Sequence, residues 1–162
     1  MATTHERDVL TLIASHMSNN WKTTNTYDRM PIIKNIFDPP IRNDYARKDY
    51  VFLYQLGEDI TPLGVGYPAE EVRTRLRIDI RCIKQPEPNG DGRALLYAIK
   101  NEVRRTLGMS DGSADSQYKP RPWQLIVPVS WEDLTNKKVN FFHGVYEIDV
   151  IHFAQKIDRS GL

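Results

Sequence analysis

Polar and apolar positions alternate most cleanly between Val72 and Ile83. Leu76, Ile78, Ile80 and Cys82 fall on one side, and Arg73, Arg75, Arg77, Asp79 and Arg81 on the other. A repeat of two residues is the mark of a strand with one face in a core, so this segment predicts a half-buried strand. Tyr50 to Leu56, rich in aromatic and branched residues, predicts a second, buried one. Two more are expected at Trp123 to Val129 and at Gly144 to Phe153. In the latter Tyr146, Ile148, Val150 and His152 alternate against Val145, Glu147, Asp149, Ile151 and Phe153. Ile32, Ile33, Ile36 and Phe37 suggest a short extended segment, ended by Pro39 and Pro40, which cannot donate to a ladder.

Two segments carry the helical period instead. From Glu6 to Met17, Val9, Leu10, Ile13 and Met17 share one helical face, and Thr3 and Glu6 have capping-box spacing. From Asp91 to Leu107 the inner stripe is Leu95, Ala98 or Ile99, Glu102 or Val103, and Thr106 or Leu107, with Gly108 as the C-cap. The polar stretch Ser18 to Tyr27 is expected to leave the first helix, with Trp21 packing back on the domain. Gly57 to Ala69, with several glycines and prolines, predicts a long loop or turn. Met109 to Pro122 predicts a mobile loop, and Ser130 to Lys138 a charged connection. The resulting order is helix, weak strand, two strands, helix, two strands. It predicts an α+β fold: a mostly antiparallel sheet of about four to five strands with two main helices packed on one face.

Length and composition narrow the picture without redirecting it. The 162 residues suit a single domain spanning 1–162, with residues 1–5 and 155–162 expected to be extended or flexible. Lys and Arg number 22 against 21 Asp and Glu, so no overall field draws the chain to nucleic acid or to an anionic membrane. The lone cysteine, Cys82, excludes an internal disulfide and reads as a small core residue made in a reducing compartment. The N-terminal residues Met-Ala-Thr-Thr-His-Glu-Arg-Asp lack the features of a secretion signal, and no long apolar run is present. The expectation is therefore a chain neither exported nor membrane-spanning.

Catalytic signatures are sparse. Gly64 and Gly66 form a Gly-x-Gly with no third glycine and no Gly-Lys-Ser/Thr, which argues against a phosphate loop. The histidines His5, His16, His143 and His152 are scattered and read as partly exposed polar residues, so no metal or cofactor is expected. No Gly-x-Ser-x-Gly elbow occurs. The sharpest enzymatic rival is a metal-dependent nuclease, with Asp79 on a strand shortly before Arg81 and Lys84. Against it stands the simpler expectation that Asp79 pairs with Arg77, Arg81 or a cross-strand arginine.

The feature that stands out is the arginine row itself. Four guanidiniums on one sheet face cannot be buried unpaired, because desolvating an unpartnered one costs several kcal/mol. Three readings follow: a solvated face partly neutralised by Glu147 and Asp149, a subunit interface built on Arg–carboxylate pairs, or a surface facing DNA.

The strand Thr74-Arg75-Leu76-Arg77-Ile78-Asp79-Ile80-Arg81, the helix Ala94 to Arg105 continuing as Thr-Leu-Gly, and the strand Tyr146-Glu147-Ile148-Asp149-Val150 follow one another in a pattern. That pattern resembles the tail terminator and tail-completion (head-tail joining) proteins of long-tailed phages and related viruses. The likeness is architectural and covers about residues 5 to 155. It implies a non-enzymatic virion protein of the neck region, made in the host cytoplasm. Such a protein forms a homo-oligomeric ring, typically a hexamer, at the head-proximal end of a tail. There it ends tail-tube growth and docks to the head connector or an adaptor protein, with DNA passing through the lumen. The extra length around Gly57 and Gly112 leaves open the terminator itself or a neighbouring neck component, and a cellular protein-binding module is the alternative outside the virion. The expected interface residues are Arg73, Arg75, Arg77 and Arg81 of the row, Tyr67 in the first loop, and Asp111, Tyr118 and Arg121 in the second. Both loops are expected to bind neighbouring proteins.

Overall fold

A computed structural model describes residues 6–22, 30–36, 48–62, 64, 66, 69–84, 92–108 and 125–155. Two helices, α1 (Glu6–Asn20) and α2 (Gly92–Leu107), accompany five strands: β1 (Ile32–Asn35), β2 (Tyr50–Pro62), β3 (Ala69–Ile83), β4 (Leu125–Asp133) and β5 (Phe141–Gln155). The strands form one sheet in the order β1-β2-β3-β5-β4. β1 runs parallel to β2, and every other pairing is antiparallel. This is the α+β fold that the periodicities imply.

The alternation along β3 does what a period of two dictates. Leu76, Ile78, Ile80 and Cys82 are fully buried and meet Val51 and Leu53 of β2 and Ile148 and Val150 of β5. The helices cover this same face: α1 contributes Val9, Leu10, Ile13, Ala14 and Met17, and α2 contributes Leu95, Leu96, Ile99, Val103 and Leu107. Each of the larger side chains adds about 1.5–3 kcal/mol by leaving water. Trp21 packs against the same cluster, as its position after the helix suggests. The two helices are tied at one end by Glu102, whose carboxylate accepts from the Lys22 amide at 2.8 Å and pairs with Arg105; Arg105 also donates to the Asn20 carbonyl. Gly108 follows α2 at φ 74°, the left-handed C-cap that glycine adopts without a Cβ penalty.

Five boundaries differ from the sequence reading. α1 continues through Ser18 to Asn20, because the Ser18 hydroxyl donates to the Ala14 carbonyl and the Asn20 amide to that of His16. The first part of the segment after Gly57 is strand rather than loop: β2 runs on to Pro62 and pairs with β3 from Thr74 back to Glu70. A bulge between Gln55 and Gly57 lets the pairing continue past the glycine. β4 includes Ser130 to Asp133, again across a bulge, between Pro128 and Ser130. β5 begins at Phe141 and β3 at Ala69, each three residues earlier than the expected starts at Gly144 and Val72. The proposed Thr3 cap, Phe37 with Pro39 and Pro40, and the segment Met109 to Pro122 lie outside the described residues. No helix among the described residues is long and apolar enough to cross a membrane.

Candidate functional site

The face of the sheet opposite the helices carries the arginine row, and the register shows what stands beside each member. Across this outer face, Leu125, Ile151, Arg73 and Asp59 form one row, and Val127, Asp149, Arg75 and Gly57 the next. Then come Ser130, Glu147, Arg77 and Tyr54, followed by Glu132, Val145, Asp79 and Phe52. A last row sets His143 and Tyr50 on either side of Arg81. Acidic residues of β5 therefore stand directly opposite two of the arginines, the neutralisation expected from the sequence.

The row is not uniform. Arg81 and Asp79 are buried, at 6% and 4% exposure, and pair at 2.9 Å. Arg81 lies between the rings of Phe52 and Phe141, 5.8 and 5.2 Å from their centroids, where a guanidinium gains from the ring quadrupoles. His143 Nε2 stands 2.8 Å from the other Asp79 oxygen. Both Asp79 oxygens are thus engaged, so the carboxylate that a nuclease would need as a metal ligand is held by a guanidinium and an imidazole. No group of three His, Cys, Asp or Glu among the described residues is placed to hold a metal ion. Two expectations need correction here. Arg81 is no part of a solvated face, and the histidines are not uniformly exposed surface residues. His143 has an acidic partner, and His152 is 1% exposed with its ring 3.0 Å from the Thr74 hydroxyl.

Arg77 is matched one to one: Nε and Nη2 donate to Glu147, and Nη1 to the Tyr54 hydroxyl at 3.4 Å. The Glu147 hydrogen bond, with help from Tyr54, raises the guanidinium above its ordinary pKa.

Arg73 and Arg75 are different. Both are about half exposed, and both converge on one buried carboxylate. Asp149 accepts from Arg73 Nε at 2.9 Å, from Arg75 Nε at 2.9 Å and from Arg75 Nη2 at 3.2 Å. Arg73 Nη1 and Nη2 and Arg75 Nη1 are left without a partner among the described residues. The Arg75 hydrogen bonds hold the Asp149 carboxyl below the usual carboxylate range; burial opposes this and Arg73 reinforces it. The two guanidiniums floor an open groove of about 500 Å³, also lined by Leu56, Gly57, Glu58, Asp59 and Asp149. The β2 bulge shapes it. A Cβ on Gly57 would meet only open space, so the glycine leaves the guanidiniums uncovered, and the bulged Leu56 stays 44% exposed.

The structure thus gathers Arg73, Arg75 and Arg77 on one surface and removes Arg81 from it. Tyr67, Asp111, Tyr118 and Arg121 lie outside the described residues. Leu56, Asp59 and Asp149 belong to the groove and were not singled out as interface residues. The signal for Asp149 was its alternation opposite an arginine strand; Leu56 and Asp59 depend on a bulge that no local pattern announces. Neither a scan of protein-family models nor a search of curated proteins returns a match to this chain.

Proposed function

We propose that this chain is a structural assembly protein rather than an enzyme. In this reading it is a neck-region virion protein that forms a ring at the head-proximal end of a tail, ends tail-tube growth and docks to the head connector. The observation that carries the proposal is the groove at Arg73 and Arg75. Two half-exposed guanidiniums share a single carboxylate and leave donors unspent beside the exposed Leu56. Polar groups and an apolar side chain displayed together on a rigid strand pair form a recognition surface for another macromolecule. The unspent Arg donors give such a surface its register.

A ring requires a heterologous contact, in which one patch meets a different patch on the next copy. The resemblance of the β3, α2 and β5 segments to tail terminator proteins supplies the virion setting, and a cellular adaptor is the competing setting. The test is the mass of the purified protein by light scattering after size exclusion over a concentration series, with and without a tail-tube protein. A discrete ring-sized species, alone or on adding tube protein, is the expected result. A monomer throughout that ignores tube protein overturns the ring.

A further inference from the structure

The surface that fits the groove is present on the same chain, at the far end of the sheet. The end of β4 and the turn that follows it display, in order, exposed Glu132 on the strand, then exposed Leu134, Lys137 and Lys138 in the turn. The groove displays the Arg73 and Arg75 donors, the exposed Leu56, and the acidic pair Glu58 and Asp59 on β2. Acid meets base, apolar meets apolar and base meets acid when the two are set side by side. We infer that the β4–β5 turn of one copy docks into the arginine groove of the next, with Glu132 on the guanidiniums, Leu134 on Leu56, and the lysines on Asp59. This deepens the ring reading and rests on it.

Two further observations bear on the fit. The turn is held in shape rather than left loose: Lys84 Nζ donates to the Asn136 and Val139 carbonyls at 3.0 and 2.8 Å, and Asp133 accepts from the Thr135 amide and hydroxyl. A preformed turn loses little freedom on docking. A copy cannot satisfy its own groove, because Asp149 and the start of β5 at Phe141 lie roughly 25 Å apart along one strand. Two complementary patches at opposite ends of a subunit make a head-to-tail contact, which closes into a ring when the rotation per subunit divides a circle.

The experiment is a charge exchange on exposed side chains that form no ion pair with another described residue. In the full chain, Asp59→Lys alone, and Lys137→Asp with Lys138→Asp, are each compared with wild type and with the combined variant by light scattering across concentration. Circular dichroism melts check that each remains folded. Each half-exchange is expected to raise the concentration of half-assembly by about tenfold or more, and the combined exchange to restore it to within about threefold. Leu134→Asp is expected to give folded monomers. If wild type assembles and the half-exchanges assemble equally well, or the combined exchange restores nothing, the contact is wrong and the ring reading stands. If wild type is monomeric under every condition, both fail together.

Discussion

The two ends of the arginine row carry the same side chain on the same strand and do opposite things. At Arg81 the neighbours across the sheet are Tyr50 and His143, with Phe52 and Phe141 against the guanidinium. They close over the charge, and Asp79 completes a buried pair. At Arg75 the neighbours are Gly57 and Asp149. The glycine covers nothing, so the charge stays in water with donors to offer. What a charged strand residue does is decided by the residues beside it on adjacent strands, not by its own alternation. The buried end serves the fold, and the open end is available to a partner.

That division predicts a graded set of effects. Arg81→Ala leaves Asp79 buried with only His143 beside it, and is expected to lower stability by about 3–5 kcal/mol in urea denaturation. A loss under about 1 kcal/mol would mean that the pair is not load-sharing with the core. On the covered face, Gly144→Ala sets a methyl 2.2 Å from the Trp131 ring. It is expected to cost about 1–3 kcal/mol and to shift Trp fluorescence as the indole moves off Tyr97 and Tyr146.

At the open end the expected losses shrink. Asp149→Asn removes the carboxylate shared by two arginines and is expected to cost about 1–2 kcal/mol at neutral pH. Because Arg75 and Arg73 hold this carboxyl below its unfolded value, its contribution is complete above about pH 5. It fades as pH falls through the lower folded value, since the unfolded chain takes up the proton first. The gap between wild type and Asp149→Asn, followed by denaturation from pH 7 to pH 3, should therefore close on acidification; a gap that widens would contradict the shared-carboxylate geometry. Arg73→Ala is the smallest, expected within about 1 kcal/mol of wild type because its side chain is 48% exposed. The change should appear in assembly rather than in melting.

Much of this architecture was legible in the sequence wherever a face is buried. β3, α2 and the centre of β5 alternate against a core, so their periods show. The missed stretches include the ends of two strands. Glu58 to Pro62 of β2 and Ser130 to Asp133 of β4 are held largely by ladder hydrogen bonds, with most of their side chains in water, and leave no hydrophobic period to read. The same limit applied to the site. Four arginines on one face were visible, and so were the β5 carboxylates that answer them. Which arginine is sealed and which is open depends on Phe52, Phe141 and Gly57 lying across from particular rungs, and register is a property of the folded sheet.

The pairing of β3 with β5 also sets a timetable. These strands form the longest pairing among the described residues, from Ala69 with Gln155 to Ile83 with Phe141, yet they are separated by about 60 to 85 residues of chain. At about 5–20 residues per second, a ribosome finishes β3 roughly 4 to 14 s before it finishes β5. Over that interval one edge of β3 waits without its partner, and Ile78 and Ile80 lack the β5 half of their core. Closing so large a loop is a slow, non-local step. The groove at Arg75 comes into being only when that step is complete, because Asp149 arrives with β5. A growing chain is therefore unable to offer the arginine groove to another copy until its own sheet has closed.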